Sequence, residues 1–296
     1  MSIAKIIVNP YAGRWKAKAQ IPQVQAALER GGVAHELVVT QHAGEGIEIA
    51  QAAAHAGFSP IVACGGDSTL SEVINGLVTA AGNVPTCPMG IIPLGTANDL
   101  AFGLGIPNEI EAAVETIARG DTRYMDAGRV NGRYFGNNSA VGLEPVISQE
   151  NDRLVHIKGT IRYLLAALIC ILRRPQWTMT LQWDCGRYEG PVLLVSVGNT
   201  RRTGGVFFMT PKAELDDGQL DFVFAPTMSR LKTLRLLPMT FNGSHIRRPE
   251  VTYCSTTRLH ITCQPGTPIQ ADGEVFEPDT SEILYEILPG KITVIV

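Results

Sequence analysis

The sequence predicts two architectures in one chain: an α/β domain built on a parallel sheet, then a β-rich, sandwich-like domain with inserted helices. Three observations carry this. Over about the first 120 residues, short apolar runs alternate with helix-period segments, the pattern of strands joined by right-handed crossovers. Several of those runs end in Gly/Asn-containing loops. Beyond about residue 122 the alternation stops and strand patterns follow one another, which marks a sandwich or a curled antiparallel sheet. At 296 residues, 45% of them hydrophobic, the chain is long enough for two cores.

In order, KIIVNP (5–10) reads as a strand, 15–30 as a helix ending at Gly31-Gly32, and HELVVT (35–40) as a strand. Residues 45–56 read as a helix, PIVAC (60–64) as a strand, 69–80 as a helix and MGII (89–92) as a strand. RYMDAGRVNGRYFGNNSAVG then supplies two strands joined at Asn131-Gly132, a dipeptide that takes positive φ readily and suits a two-residue hairpin. A helical block over 159–173 is followed by strands near 176–183, 190–198 and 219–224. After a second helical block near 229–240, strands near 251–263, 267–271, 282–288 and 291–296 close the chain. The boundary falls near 126, giving a first domain over 1–126 and a second over 127–289. The last strand, about 290–296, is free to return to the first domain.

Composition excludes several classes. A net charge of −3 predicts no general affinity for nucleic acid. No apolar run reaches the roughly 18 residues of a spanning helix, and MSIAKIIVNP enters a strand pattern rather than a leader's plan. The expectation is a cytoplasmic protein. Cys64, Cys87, Cys170, Cys185, Cys254 and Cys263 form no C-x-x-C pair and no zinc spacing, so reduced, mostly buried thiols are expected.

Charge is unevenly placed: residues 1–126 carry 7 Lys/Arg against 12 Asp/Glu, and 153–248 carry 14 against 6. The basic excess includes Arg201, Arg202, Arg230, Lys232, Arg235, Arg247 and Arg248. The apolar segment GTIRYLLAALICILRR (159–174), flanked by Lys158, Arg173 and Arg174, is too short to span a bilayer. It either docks with the basic residues on anionic lipid or packs as a buried helix beneath a solvated surface.

The loops bear the chemistry. In IVACGGDSTLSEVINGL (61–77) a strand stops at Gly65, Gly66 and Asp67 and a helix follows at once. Such a loop points N–H groups and the positive helix end at one spot, which suits a phosphate. A tight turn capped by Asp67 or Ser68 explains the same residues. The stretch is neither a Walker A loop nor G-x-G-x-x-G. IIPLGTANDLA (91–101) repeats the arrangement with Thr96, Asn98 and Asp99, and VNPYAG (8–13) ends the first strand at Asn9. Three such loops on one sheet edge favour phosphate or nucleotide binding, since open α/β sheets take ligands at the C-terminal ends of their strands.

GGDST followed by PLGTANDLA resembles the diacylglycerol kinase catalytic family, with its sphingosine and ceramide kinase relatives. The nearest likeness is to the compact bacterial lipid kinases of the YegS and DgkB type. It runs through VNPYAG, MDAGRVNGRYFGNNSAVGLE (125–144), VGNTRRTGGVFFMTPKAELDDGQLD (197–221), LKTLRLLPMTFNGSHIRRPEV (231–251) and QADGE (270–274).

The resemblance implies a phosphofructokinase- or NAD-kinase-like first domain, with ATP in the cleft between the domains. It implies a nucleotide site made of Asn9, Thr40, Gly65, Gly66, Asp67, Thr69, Gly95, Thr96 and Asn98, and an acidic network of Asp67, Asp99 and Asp126. It implies Asp272 as general base with Glu274 as its partner, where the residues alone read as a D-G hairpin turn. It also implies a structural Mg²⁺ held by the Asp217 side chain and the carbonyls of Glu214 and Gln219. All-oxygen ligation suits that ion, although an exposed turn explains the same acids. One position departs from the family pattern: Ser68 stands where glycine is usual, which requires a backbone angle open to an L-residue.

The activity implied is transfer of the γ-phosphate of ATP, with Mg²⁺, to a lipid hydroxyl. The lipid is presented at a membrane surface, and a homodimer is compatible. Diacylglycerol, giving phosphatidic acid, is the first acceptor; phosphatidylglycerol and a sphingoid base are alternatives. An NAD kinase shares the GGD loop but not PLGTANDLA or the 197–221 stretch. A non-catalytic nucleotide- or lipid-binding protein is the alternative of a different class. Ser68 motivates it, and the retained Asp272 and Glu274 oppose it.

Overall fold

The computed structural model describes residues 3–154, 157, 160–173 and 175–296; Lys158, Gly159 and Arg174, invoked above, lie outside them. The first four strands, β1 (Ala4–Val8), β2 (His35–Val39), β3 (Ile61–Gly65) and β4 (Met89–Pro93), pair in parallel in the order β2-β1-β3-β4. α1 (Lys16–Arg30), α2 (Glu45–His55) and α3 (Asp67–Ala81) are the crossovers. β3 and β4 are buried at every residue, as a sheet covered on both faces requires. α3 is buried from Thr69 to Val78, so its start is locked beneath the strand ends.

Two short helices follow, α4 (Asp99–Leu104) and α5 (Ile110–Arg119). The sequence reading assigns α5 no element, although Ile110, Ala113, Val114 and Ile117, all buried, have the spacing of one helix face.

β5 (Thr122–Val130) runs through residue 126 and pairs with the long final strand on both sides of it. It turns into β6 (Arg133–Phe135) with Asn131 at φ 45° and Gly132 at φ 88°, the two-residue hairpin its sequence predicts. β7 (Asn138–Gly142) leads into α6 (Leu143–Arg153) and α7 (Thr160–Arg173). α6 goes unpredicted because Gly142 and Pro145 read as loop. Yet Pro145 stands in the helix's first turn, where its missing N–H costs nothing.

β8 (Trp177–Trp183), β9 (Gly186–Gly198) and β10 (Leu220–Pro226) precede α8 (Arg230–Leu236) and two 3-10 turns, Leu237–Asn242 and Ser244–Arg247. β11 (Thr252–Thr256), β12 (Arg258–Ala271) and β13 (Glu274–Ile295) end the chain. β12 and β13 are each one long strand where the pattern predicts broken ones. β13 absorbs the break as a register shift between Leu288 and Ile292.

Hydrogen bonding is continuous along β11-β10-β9-β7-β12-β13-β4-β3-β1-β2. β13 lies parallel to β4 at Val294–Met89 and antiparallel to β5 and β12. Ile292 and Val294 join the apolar core of the first sheet and its helices. A second core, with Phe135, Phe222, Ile261 and Tyr285, lies within the β-rich part. The six cysteines are free; Cys64, Cys170 and Cys263 are buried and Cys185 is exposed. Among the described residues no helix is long and apolar enough to cross a membrane.

Candidate active site

The crevice is built where β3 and β4 end. Gly66, the N-cap of α3, is extended at φ −101° and supplies no capping side chain, so the first N–H groups of α3 stay available to a ligand. The glycines are needed for contact rather than for unusual angles. A Cβ on Gly66 would lie 3.1 Å from the Gly95 Cα, and one on Gly95 would lie 2.5 Å from both Gly66 Cα and Asn98 Oδ1. A Cβ on Gly65 would strike the Thr69 side chain. The two loops thus touch backbone to backbone. Ser68 is the second residue of α3 and does not take positive φ, so helical backbone accommodates the serine.

Asp67 bridges the two loops. Its Oδ1 accepts the N–H groups of Asp99 at 2.7 Å and Leu100 at 3.3 Å, so the first residue of α3 caps α4. Burial, then the charge of Asp99, push its carboxyl up to about 6; the two N–H groups oppose them, and Asp272 adds a smaller push upward. Asn98 is left-handed at φ 48°. Its Oδ1 and the Thr69 Oγ1 are buried without hydrogen-bond partners within the protein, so both are open to a water or a ligand. Thr96 is exposed at the loop tip.

Asn9 and Thr40, at the ends of β1 and β2, are committed to backbone. Asn9 Oδ1 accepts the Tyr11 N–H at 2.9 Å, and Thr40 Oγ1 donates to the Val8 carbonyl at 3.4 Å.

Asp272 and Gly273 form the turn between β12 and β13, both at positive φ (48° and 87°). An aspartate tolerates that conformation better than most residues. The turn carries the carboxylate to the start of β7. There Oδ2 accepts from Gly136 N at 3.1 Å, and Oδ1 from Asn137 N at 2.9 Å and Asn138 N at 3.2 Å. Burial raises its pKa against these donors. The Ser71 hydroxyl of α3 faces it without closing a well-formed hydrogen bond. Glu274 pairs with Arg133 at 3.3 Å. Its pKa is raised by burial, opposed by Arg133, and raised further by Glu72 and Asp272.

The three acids of the expected network are not gathered at one point. Asp99 adjoins Asp67. Asp126 instead accepts from Gly218 N at 2.7 Å and Gly290 N at 2.6 Å. Its pKa is raised by burial, lowered by those N–H groups, and raised again by Asp217 and Asp216. It belongs with the ELDDGQLD loop, where Asp217 is exposed and accepts its own Gln219 N–H at 3.0 Å. Glu214 is exposed in the same loop. Among the described residues no three His, Cys, Asp or Glu side chains converge as a metal-binding group.

The sequence reading misses Arg202 as a site residue, treating it as surface charge. Its Nε donates to Asp99 Oδ1 at 2.7 Å. The only signal was its place in a Gly-rich stretch.

A half-buried loop pair with open N–H groups, near the buried carboxylate of Asp272, has the chemistry that phosphoryl transfer needs. Comparison with known proteins names the class. Residues 4–130 match the family model of the diacylglycerol kinase catalytic domain, and residues 138–296 that of the YegS C-terminal NAD kinase beta sandwich-like domain. The chain belongs to the diacylglycerol kinase family and is a diacylglycerol kinase-like lipid kinase. Proteins named diacylglycerol kinase from Staphylococcus aureus strains bovine RF122 / ET3-1 and MRSA252 are each 29% identical over 273 residues, covering 92% of this chain and 85% of theirs. A solved structure described as a diacylglycerol kinase from Bacillus anthracis str. Sterne superposes with a TM-score of 0.81 at 24% identity, covering 99% of this chain and 96% of that one. It shares the fold.

Proposed function

We propose that this kinase transfers the γ-phosphate of ATP to diacylglycerol, giving phosphatidic acid, with Asp272 as general base. The observation that carries the reading is Asp272: a buried carboxylate of raised basicity, held by three N–H groups opposite the start of α3. As the acceptor oxygen bonds to the γ-phosphorus and the bond to the β,γ-bridging oxygen breaks, Asp272 takes the hydroxyl proton and ADP leaves. Glu274, tied to Arg133, sets the field around Asp272. The N–H groups at Gly66–Asp67, the Gly95 loop, Thr69 and Asn98 bind the phosphates, with Asn9 and Thr40 at the outer edge. The first domain is then phosphofructokinase- or NAD-kinase-like, and the boundary near residue 126 separates nucleotide from acceptor.

Mg²⁺ fits two places. Asp67, at the phosphate crevice, would serve the ion indirectly or through water. The second place is the Asp217 side chain with the carbonyls of Glu214 and Gln219. There Asp216 and Asp217 add to the upward push on Asp126, and Arg123 pairs with Asp216 at 2.9 Å; one carboxylate with two carbonyls would suit a hard divalent cation completed by water. A bound Mg²⁺ supplies charge neutralisation of the phosphates.

An apolar cavity of about 90 Å³, walled by Leu143, Ile147, Tyr163, Phe207, Val223 and Leu237, suits part of an acyl chain. Over it, α7 exposes Ile161, Leu168 and Leu172, and α8 exposes Leu231; α8 also carries Arg230 and Arg235, while Arg173 at the end of α7 is paired with Glu150 at 2.6 Å. Arg230 Nε donates to the Leu172 carbonyl at 3.0 Å, joining the two helices. We read this edge as the part that rests on the bilayer.

A sphingoid base is the second reading. It is favoured by Glu144, a carboxyl in the cavity wall that an ammonium would pair.

The test is transfer of labelled γ-phosphate from Mg·ATP to diacylglycerol, phosphatidylglycerol and sphingosine in mixed micelles. Labelling of diacylglycerol is expected. Labelling of sphingosine alone moves the assignment to the second reading, and labelling of none of the three overturns both.

A further inference from the structure

We infer that Arg202 is a positioning residue that couples the acceptor cavity to the nucleotide loop, so that lipid binding tightens ATP binding. The inference rests on the functional reading above. Arg202 lies in the connection from β9 to β10. Its Nε donates to Asp99 Oδ1 at 2.7 Å, and Nη2 donates to the carbonyls of Ala97 at 2.9 Å and Asn98 at 3.5 Å. Its guanidinium lies 3.7 Å over the Phe102 ring. Gly205 N donates to both Asp99 oxygens, at 3.1 and 3.0 Å. The ion pair is nearly shut off from water, with side-chain exposures of 15% and 3%. One short segment of the acceptor domain therefore grips the loop that carries Thr96 and Asn98. It does so at the left-handed Asn98, whose Oδ1 has no hydrogen-bond partner within the protein.

The other end of the same segment is the cavity wall. Thr203 and Phe207 exchange backbone hydrogen bonds, 2.8 Å one way and 3.0 Å the other. Gly204 and Gly205 make the turn between them at φ 61° and 79°. Phe207 lines the cavity and packs against Tyr163 at 5.1 Å and Phe241 at 5.2 Å. Between the two ends, Thr203 Oγ1 donates to Asn138 Oδ1 at 3.1 Å, and the Asn138 N–H is one of the donors to Asp272. A turn closed by two hydrogen bonds moves as a unit. A lipid that presses on Phe207 thus moves or fixes Arg202, and with it the phosphate loop. Lysine cannot replace this geometry, because one ammonium lacks the planar fork that meets a carboxylate and two carbonyls together.

The test uses the full chain and the non-hydrolysable analogue AMP-PNP with Mg²⁺, titrated in detergent micelles with and without dioctanoylglycerol. In the wild type, dioctanoylglycerol should tighten AMP-PNP by about 5-fold or more. Arg202→Gln should bring that ratio to about 1, and Arg202→Lys should fall between. A purely structural arginine would weaken both ligands and leave the ratio intact. A wild-type ratio of 1, or an unchanged ratio in both variants, overturns the inference and leaves the kinase reading standing. If Arg202→Gln does not fold, Arg202→Lys carries the comparison alone. Failure of the wild type to bind AMP-PNP would overturn the ATP reading itself, and this inference with it.

Discussion

Asp67 shows how single residues carry the electrostatics of the crevice. Its folded pKa, about 6, stands above the unfolded value, so between roughly pH 4 and 6 the folded chain holds a proton that the unfolded chain releases. This group's contribution to stability is greatest below that window, falls as pH rises through it, and is flat above it. Asp67→Asn should remove that slope, and thermal melts from pH 4 to 7 would show it; melting curves that shift in parallel with the wild type would refute the assignment. Glu144 has the same sign over a window reaching about 7, because burial pushes its carboxyl up, opposed by Ser196. Its Oε2 has no hydrogen-bond partner. Glu144→Gln should therefore raise Tm at pH 8 and leave it nearly unchanged at pH 4.5, read by the same melts.

At the scale of elements, the site depends on two loops packed glycine to glycine. Gly95→Ala puts a methyl group 2.5 Å from Gly66 Cα and Asn98 Oδ1. The cost should be about 1–3 kcal/mol of stability, with phosphoryl transfer down at least about 10-fold as the N–H groups separate. Denaturant unfolding and initial rates check both, and a fully active, equally stable variant would refute the contact argument.

These loops were legible in the sequence as strand–glycine–helix junctions, because turn chemistry is local. The parallel strands and the Asn131-Gly132 hairpin were legible for the same reason. The Asp272-Gly273 turn was readable too, but the partners of Asp272, Gly136 to Asn138, are over 130 positions away along the chain. Arg202 looked like surface charge because its partner Asp99 belongs to another element. α6 was hidden by Gly142 and Pro145, whose loop-like signal loses to packing of Leu143 and Ile147 on α7.

At the scale of the molecule, the final strand ties the two parts together. β13 runs from the Asp272 turn to the edge of β4, and Lys291 Nζ caps the carbonyls of Gly82, at 2.6 Å, and Val84 beyond the end of α3. The exposed apolar residues of α7 and α8 and their basic neighbours share one edge. The double variant Ile161→Glu/Leu172→Glu should lose most sedimentation with anionic phosphatidylglycerol vesicles while retaining its far-ultraviolet circular dichroism. Wild-type binding should weaken as salt rises. Undiminished sedimentation of the double variant, or no sedimentation of the wild type, would contradict the proposed bilayer edge.

The central claim is that Asp272 takes the acceptor's proton. The most direct measurement is single-turnover phosphoryl transfer to diacylglycerol by Asp272→Asn, with AMP-PNP affinity measured on the same protein. Asp272→Asn should be slower by about 10²-fold or more, with an affinity within about 2-fold of wild type. A rate within a few-fold of wild type at unchanged affinity would contradict that claim.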